Sequence, residues 1–131
     1  METTLTNAAG PVDTLSPDTR QAVELFMARL HDLKLPSITK VLLYGSHARG
    51  DYQTDSDVDI AVVLAGSDPG DGTFFDLMMQ LAVVRSRIMT GMENPVYVEA
   101  FVIWENELRQ PEKQRNPDFF RNVLADGVEI M

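Results

Sequence analysis

Two aspartates, Asp57 and Asp59, stand two positions apart where a polar segment gives way to an apolar one. The run from Asp57 to Leu64 has the β-branched, apolar composition of a short strand, and residues two apart on a strand point to the same face. Two neighbouring carboxylates repel each other and raise each other's pKa. Mg²⁺ relieves that repulsion because it prefers oxygen and usually needs only one or two carboxylates beside phosphates. The pair therefore predicts a magnesium site, although two solvated charges at a strand end have the same pattern.

A glycine and a serine form the second candidate feature, a phosphate-binding turn. Gly45 and Ser46 directly follow Ile38–Tyr44, an apolar run that predicts a buried strand, and ten residues separate Ser46 from Asp57. Glycine lets the backbone approach a phosphate closely, the beginning of a helix offers unpaired N–H groups, and the serine adds a hydroxyl. The sequence thus places a phosphate cradle at the end of one strand and a metal pair at the beginning of the next. An isolated Gly-Ser pair would indicate only a turn.

Taken together, these residues resemble a known signature. The nucleotidyltransferases of the DNA polymerase beta superfamily share a signature in which ten residues separate Gly-Ser from Asp-x-Asp. This chain resembles that signature in the segments GSHARG (45–50) and SDVD (56–59). The chain resembles the minimal nucleotidyltransferases, or MNT proteins, in three respects: its short length, the residues of these two segments and the closing stretch NPDFFRNVLADGVEI. The resemblance covers most of the chain from about Ile38 onward.

This resemblance implies a fold, a cofactor and roles for individual residues. The implied fold is a short mixed sheet with helices packed on it, and the implied chemistry is transfer of a nucleotidyl group from ATP or another NTP bound with Mg²⁺. By the resemblance, Asp57 and Asp59 bind the metal, and Gly45 and Ser46 hold the triphosphate. It also implies a third acidic residue on a later strand.

Glu99 is the candidate for that third acid. It interrupts the run Val96–Ile103, which predicts a third strand that is otherwise apolar. An isolated ionised carboxylate buried in such a strand would be very costly, and a metal or a metal-bound acceptor would offset that cost. Glu99 would then help to bind the catalytic ion or deprotonate the acceptor hydroxyl. Two alternatives stay open: an edge strand whose Glu99 faces water, or a register differing by two residues that selects Tyr97.

Three further polar residues near these motifs have competing interpretations. Arg49 either pairs with a phosphate or forms a surface salt bridge to Asp51 or Asp55. The proteins that the chain resembles often have arginine at this position, whereas a surface salt bridge would contribute little stability. His47 is expected in a turn or on a helix surface. Arg85 is expected on a solvated helix face.

The remaining pattern predicts one α/β (α+β) domain. Ser16-Pro17-Asp18 begins a helix, Thr73 to about Met89 forms another, Glu105–Arg115 is a polar loop, and Asn116-Pro117 begins a last helix that ends at Gly127. Residues 1–14 are polar and without apolar periodicity, so we expect a flexible leader before a single domain, residues 15–131.

Composition narrows the class of protein further. The 131 residues include no cysteine, and the longest apolar run, Ile60–Ala65, is far too short to cross a bilayer. No basic segment followed by an apolar stretch indicates a secretory signal, so the cytoplasm is the simplest location. The formal net charge of −9 disfavours nucleic-acid binding and suits a basic protein partner.

We therefore predict an Mg²⁺-dependent nucleotidyltransferase that moves AMP from ATP. The acceptor is expected to come from a partner, because the chain is too short for a large acceptor-binding domain. MNT proteins resemble antitoxins encoded beside HEPN-domain toxins, which are RNases, and the implied reaction is AMPylation of a toxin tyrosine. The alternatives are a binding module that neutralises a toxin by docking and, less favoured, a nucleotidyltransferase that modifies an antibiotic.

Overall fold

Among the residues that the structure describes, four strands form one mixed sheet in the order β3-β2-β1-β4. They are β1 (Ile38–Tyr44), β2 (Val58–Leu64), β3 (Val98–Trp104) and β4 (Val128–Glu129). The computed structural model describes residues 15–33, 35–53 and 56–131, and the predicted leader lies outside this part of the chain. Strand β1 runs antiparallel to β2 and β4, whereas β2 and β3 are parallel. The predicted α/β class with a short mixed sheet is confirmed.

In the described part of the chain, five α-helices accompany the sheet. They are α1 (Pro17–Asp32), α2 (Ser46–Arg49), α3 (Thr73–Thr90), α4 (Glu105–Arg109) and α5 (Pro117–Asp126). Helix α1 begins as predicted, with Ser16 accepting a hydrogen bond from the Thr19 N–H at 3.4 Å and proline in the first turn. Gly91 ends α3 and Gly127 ends α5, also as predicted. In the residues that the structure describes, no helix is long and apolar enough to cross a membrane.

The predicted polar loop Glu105–Arg115 is wrong, because it contains α4 and a 3₁₀ turn at Pro111–Lys113. Helix α4 is short and polar in composition, so its intrinsic signal is weak. Two tertiary features stabilise it. The Glu107 carboxylate accepts a hydrogen bond from the Trp104 N–H at 2.9 Å, and Leu108 is buried among apolar residues of the sheet.

Helices α1 and α3 cover one face of the sheet. Side chains at alternate positions of the three long strands meet these helices and form the larger core, with Val41, Ile60 and Val102 among them. Phe26 of α1 and Leu81 of α3 are fully or almost fully buried in this core. Since burial of each large apolar side chain contributes about 1.5–3 kcal/mol, this face supplies most of the apolar stabilisation.

The opposite face of the sheet is only partly covered. Its smaller core consists of strand residues such as Leu42, Ala61 and Ile103, together with Leu108 of α4 and Val123 of α5. Strand alternation places Tyr44, Asp59 and Glu99 on this same face, at the end of the sheet that α2 follows. We call it the acid face.

Candidate active site

Three polar side chains stand in a row across the acid face. Tyr44 of β1 is directly opposite Asp59 of β2, and Asp59 is directly opposite Glu99 of β3. Neighbouring strands lie about 4.8 Å apart, so adjacent members of the row are within reach of each other. Tyr97 precedes β3 and does not take the position opposite Asp59. Of the two residues considered for the third acid, the register therefore favours Glu99.

The environment of Glu99 differs from the sequence expectation. Strand β3 begins at Val98 and lies at an edge of the sheet, so Glu99 is near the strand's beginning, and its side chain is 35% exposed. The argument from burial was wrong, because an edge strand leaves this carboxylate partly in water. Arg85 of α3 reaches around the edge, with its Nη1 3.4 Å from Glu99 Oε1 and its guanidinium 4.8 Å from the centre of the Tyr97 ring. The expected solvated position of Arg85 is therefore also wrong.

Asp59 is the electrostatic centre of the row. Burial raises its pKa from 3.8 to about 6, the negative charges of Asp57 and Glu99 add to that rise, and Arg49 acts in the opposite direction. Asp57 stands just before β2 and is exposed. A carboxylate crowded by two others suits a bound cation, which removes the repulsion.

These acids do not form a complete metal cage on their own. Within residues 15–33, 35–53 and 56–131, no group of three or more His, Asp or Glu side chains is placed to hold a metal. Magnesium often keeps several waters and is held by one or two carboxylates plus substrate phosphates. Asp57 and Asp59 fit that requirement, with Glu99 on the next strand as a third carboxylate.

Gly45 lies against the carboxylate of Asp59. Its φ of +78° is in the region that favours glycine, and a Cβ built at this position would overlap Asp59 Oδ2. Any side chain here would therefore strain the backbone and displace the central acid. The half-buried Ser46 follows as the first residue of α2, and Gly50 ends that helix by donating its N–H to the Ser46 carbonyl at 2.8 Å.

His47 is buried, contrary to the expectation of a turn or surface residue. It is 7% exposed, its Nε2 lies 3.2 Å from the Ser56 carbonyl oxygen, and its ring stacks on Tyr52 with centroids 4.3 Å apart. Since α2 is a single turn that packs against the sheet, its second residue points inward. His47 thus links the Gly45-Ser46 turn to the segment that leads into Asp57.

Arg49 is held by two carboxylates. Its Nη1 is 2.7 Å from Asp126 of α5, and its Nε is 3.1 Å from Asp51. The salt-bridge interpretation is therefore observed for Asp51, whereas Asp55 lies outside the described residues. A phosphate role for Arg49 stays a prediction.

Tyr44 is a site residue that the sequence analysis missed. Burial raises the pKa of its phenol well above the ordinary value, and the charges of Asp59 and Glu99 raise it further. The phenol therefore stays protonated at neutral pH and is able to donate a hydrogen bond. Its position, next to Gly45 at the end of β1, would have identified it once the register of β1 with β2 was known.

Asp59→Asn should stabilise the metal-free protein at pH 7. The folded-state pKa of Asp59 lies above the unfolded value, so its ionisation costs stability as pH rises from about 4 to about 6. Asparagine escapes that cost, which for a half-buried group we place at about 1 kcal/mol, or roughly 3 °C in Tm. Thermal unfolding in EDTA at pH 7 and pH 4 checks this: the gain should vanish at pH 4. A variant less stable than wild type at pH 7 would contradict it.

Comparison with known proteins identifies the family of the chain. The family model described as "Polymerase beta, Nucleotidyltransferase" matches residues 33–131. The protein of Methanocaldococcus jannaschii named "Putative protein adenylyltransferase MJ0604" is 33% identical over 107 residues, which cover 82% of this chain and 92% of that protein.

Two solved structures also align with the chain. One, described as a "putative nucleotidyltransferase from Sulfolobus solfataricus", is 20% identical with a TM-score of 0.49, covering 88% of this chain and 87% of its own. The other, described as "the toxin-antitoxin with AMP-PNP", is 16% identical with a TM-score of 0.46, covering 88% and 73%. The family model and the archaeal relative decide the assignment, and the resemblance inferred from the sequence is confirmed. The chain belongs to the polymerase beta nucleotidyltransferase family and is a nucleotidyltransferase of the minimal type.

Proposed function

We propose that this nucleotidyltransferase transfers AMP from ATP, with Mg²⁺, to a tyrosine hydroxyl on a partner protein. The observation that carries the proposal is the position of Asp59, between Glu99 on one side and the Gly45 backbone on the other. A relative of similar length is named a protein adenylyltransferase, which supports a protein acceptor.

The residues that would hold the metal and the triphosphate have separate roles in this proposal. Asp57 and Asp59 would hold Mg²⁺, which when bound would neutralise phosphate oxygens and align the α-phosphorus for in-line attack. Gly45 lets the chain approach the triphosphate closely, and the Ser46 hydroxyl binds it. Arg49, held by Asp126 and Asp51, contributes positive charge beside that turn.

At the α-phosphorus the reaction forms one bond and breaks one, and the acceptor hydroxyl gives up its proton. The acceptor oxygen attacks the α-phosphorus, the bond from that phosphorus to the bridging oxygen breaks, and pyrophosphate leaves. A tyrosine hydroxyl is a weak nucleophile while protonated. In this proposal Glu99 accepts that proton, which is supported by its position on β3, the strand on the other side of β2 from β1 and Gly45.

The partner is proposed from charge and from the resemblance to MNT antitoxins. A protein with a net charge of −9 favours a basic partner, and a HEPN-type RNase toxin suits that description. Modification of the toxin would then be the antitoxin activity. The cytoplasmic location and the division into a leader, residues 1–14, and one domain, residues 15–131, stay predictions.

Intact-mass spectrometry of the candidate partner tests this function. The partner is the product of the adjacent reading frame, chosen if it is all-helical with an Arg-x₄-His motif. Incubation with the chain, ATP and Mg²⁺ should add whole AMP units, which peptide mapping should locate on tyrosine, and EDTA should prevent the addition. An unmodified partner under these conditions would contradict the proposal.

A docking antitoxin is the second candidate, and one observation favours it. Two polar side chains that transfer would use are already paired with protein groups, Glu99 with Arg85 and Arg49 with Asp126. A tight complex that silences the partner with no mass change, and equally well in an Asp59→Asn variant, would support docking over catalysis.

A further inference from the structure

A cavity lies on the acid face beside the row of polar residues. Its volume is about 610 Å³, within the range of small-molecule sites. Phe101 of β3 and the α5 residues Phe119 and Phe120 line it, with ring centroids 5.3 Å apart for Phe101 and Phe119 and 5.1 Å for Phe119 and Phe120. We call it the aromatic cavity.

The aromatic cavity is next to the acid row, and two of its lining residues neighbour members of that row. Phe101 is two residues beyond Glu99 on the same strand face, about 7 Å further along β3. Phe119 makes an edge contact with Tyr44, with centroids 6.1 Å apart, and Tyr44 stands opposite Asp59. A ligand held at the acids therefore has the cavity directly along the strands from it.

The direction of the proposed transfer indicates which part of the nucleotide would occupy the aromatic cavity. This step rests on the proposed function. The β- and γ-phosphates belong at Gly45-Ser46, beyond the end of β1, and the acceptor must approach from the opposite side, where β3 carries Glu99. In that arrangement the nucleoside would extend from the α-phosphorus at an angle to this line, and the aromatic cavity lies in that direction along the strands.

The cavity also has the chemistry of a nucleobase site. Phenyl rings stack on the faces of bases without distinguishing among them. Polar side chains in the cavity wall are able to form hydrogen bonds with the edge of a base. Arg115 donates hydrogen bonds, the Glu107 carboxylate accepts them, and Asn116 is able to do either. Glu107 would favour a base with an exocyclic amino group. We propose that the aromatic cavity binds the nucleobase of the nucleotide substrate, with preference for adenine over hypoxanthine.

Binding experiments separate the base from the phosphates. Calorimetry with Mg²⁺ should show that Phe101→Leu and Phe120→Leu each weaken ATP binding about tenfold, while affinity for tripolyphosphate is unchanged. Phe75→Leu is the matched control, because Phe75 is 65% exposed on α3 and does not line the cavity. Glu107→Gln keeps an oxygen for the Trp104 N–H and should reduce the preference for ATP over ITP.

Several results would overturn the proposal. Unchanged ATP affinity in both cavity variants would exclude the base from the cavity, and an equal loss of tripolyphosphate affinity would indicate a structural role. Saturation-transfer NMR should detect adenosine and not N-acetyltyrosinamide, and the reverse would make the cavity an acceptor site. A wild-type chain that binds neither ATP nor tripolyphosphate with Mg²⁺ would refute the proposed function itself, and the base site with it.

Discussion

Replacing both Asp57 and Asp59 with asparagine should lower AMP transfer by roughly a thousandfold or more. Neutral amide oxygens bind Mg²⁺ far more weakly than carboxylates, so the variant should also lose the Mg²⁺-dependent part of its ATP affinity. The fold should persist, because ionised Asp59 is unfavourable in the folded state. Transfer assays and calorimetry with and without Mg²⁺ measure both effects.

The matched control for this variant removes the same charge elsewhere. Asp18→Asn with Asp76→Asn neutralises two exposed acids in the first turns of α1 and α3. That control should retain full transfer and full Mg²⁺ dependence of ATP binding. If the Asp57/Asp59 variant bound ATP with Mg²⁺ at wild-type affinity, and EDTA weakened that binding as much as it does for the wild-type chain, the metal assignment would be wrong.

Glu99→Gln should lower transfer by about a hundredfold or more while ATP affinity changes little. Asp57 and Asp59 still hold the metal in this variant, and glutamine is able to accept the hydrogen bond from Arg85, but it does not take up a proton from the acceptor. Single-turnover transfer rates and calorimetric ATP affinities separate the two effects.

Glu93→Gln is the control for Glu99→Gln, since Glu93 is exposed and precedes the same strand. It should leave both transfer and affinity unchanged. Full turnover in Glu99→Gln would remove this carboxylate from the reaction and indicate that the metal or another group activates the acceptor.

Local sequence pattern was enough to predict where the Gly-Ser turn and the two aspartates lie relative to their strands. Gly45-Ser46 follows β1, and Asp57 and Asp59 stand at the beginning of β2, as chain order and local composition predict. The contact between Gly45 and Asp59 depends in addition on the antiparallel pairing of these two strands. Glu99 was predicted on the premise that it is buried in an apolar strand, and that premise is wrong, since β3 lies at an edge of the sheet and its edge location depends on strand order. Strand order is a tertiary property that a single sequence does not reveal. The role of Glu99 stays a prediction.

The features that were missed share this dependence on tertiary contacts. Arg85 reaches Glu99 only because α3 packs beside the β3 edge, and His47 is buried only because α2 packs on the sheet. Strand β4 has two residues and exists through its pairing with Leu42 and Leu43 of β1. Its intrinsic signal is too short to stand out from a loop.

The most direct test of the account follows the α-phosphate and the γ-phosphate of ATP in one experiment. The chain and its partner are incubated with Mg²⁺ and ATP labelled either at the α-phosphate or at the γ-phosphate, and protein-bound label is measured. The account predicts label on the partner from α-labelled ATP only, with release of pyrophosphate and none with the Asp57/Asp59 variant. Label from γ-labelled ATP, or none from either, would contradict nucleotidyl transfer as the function of this site.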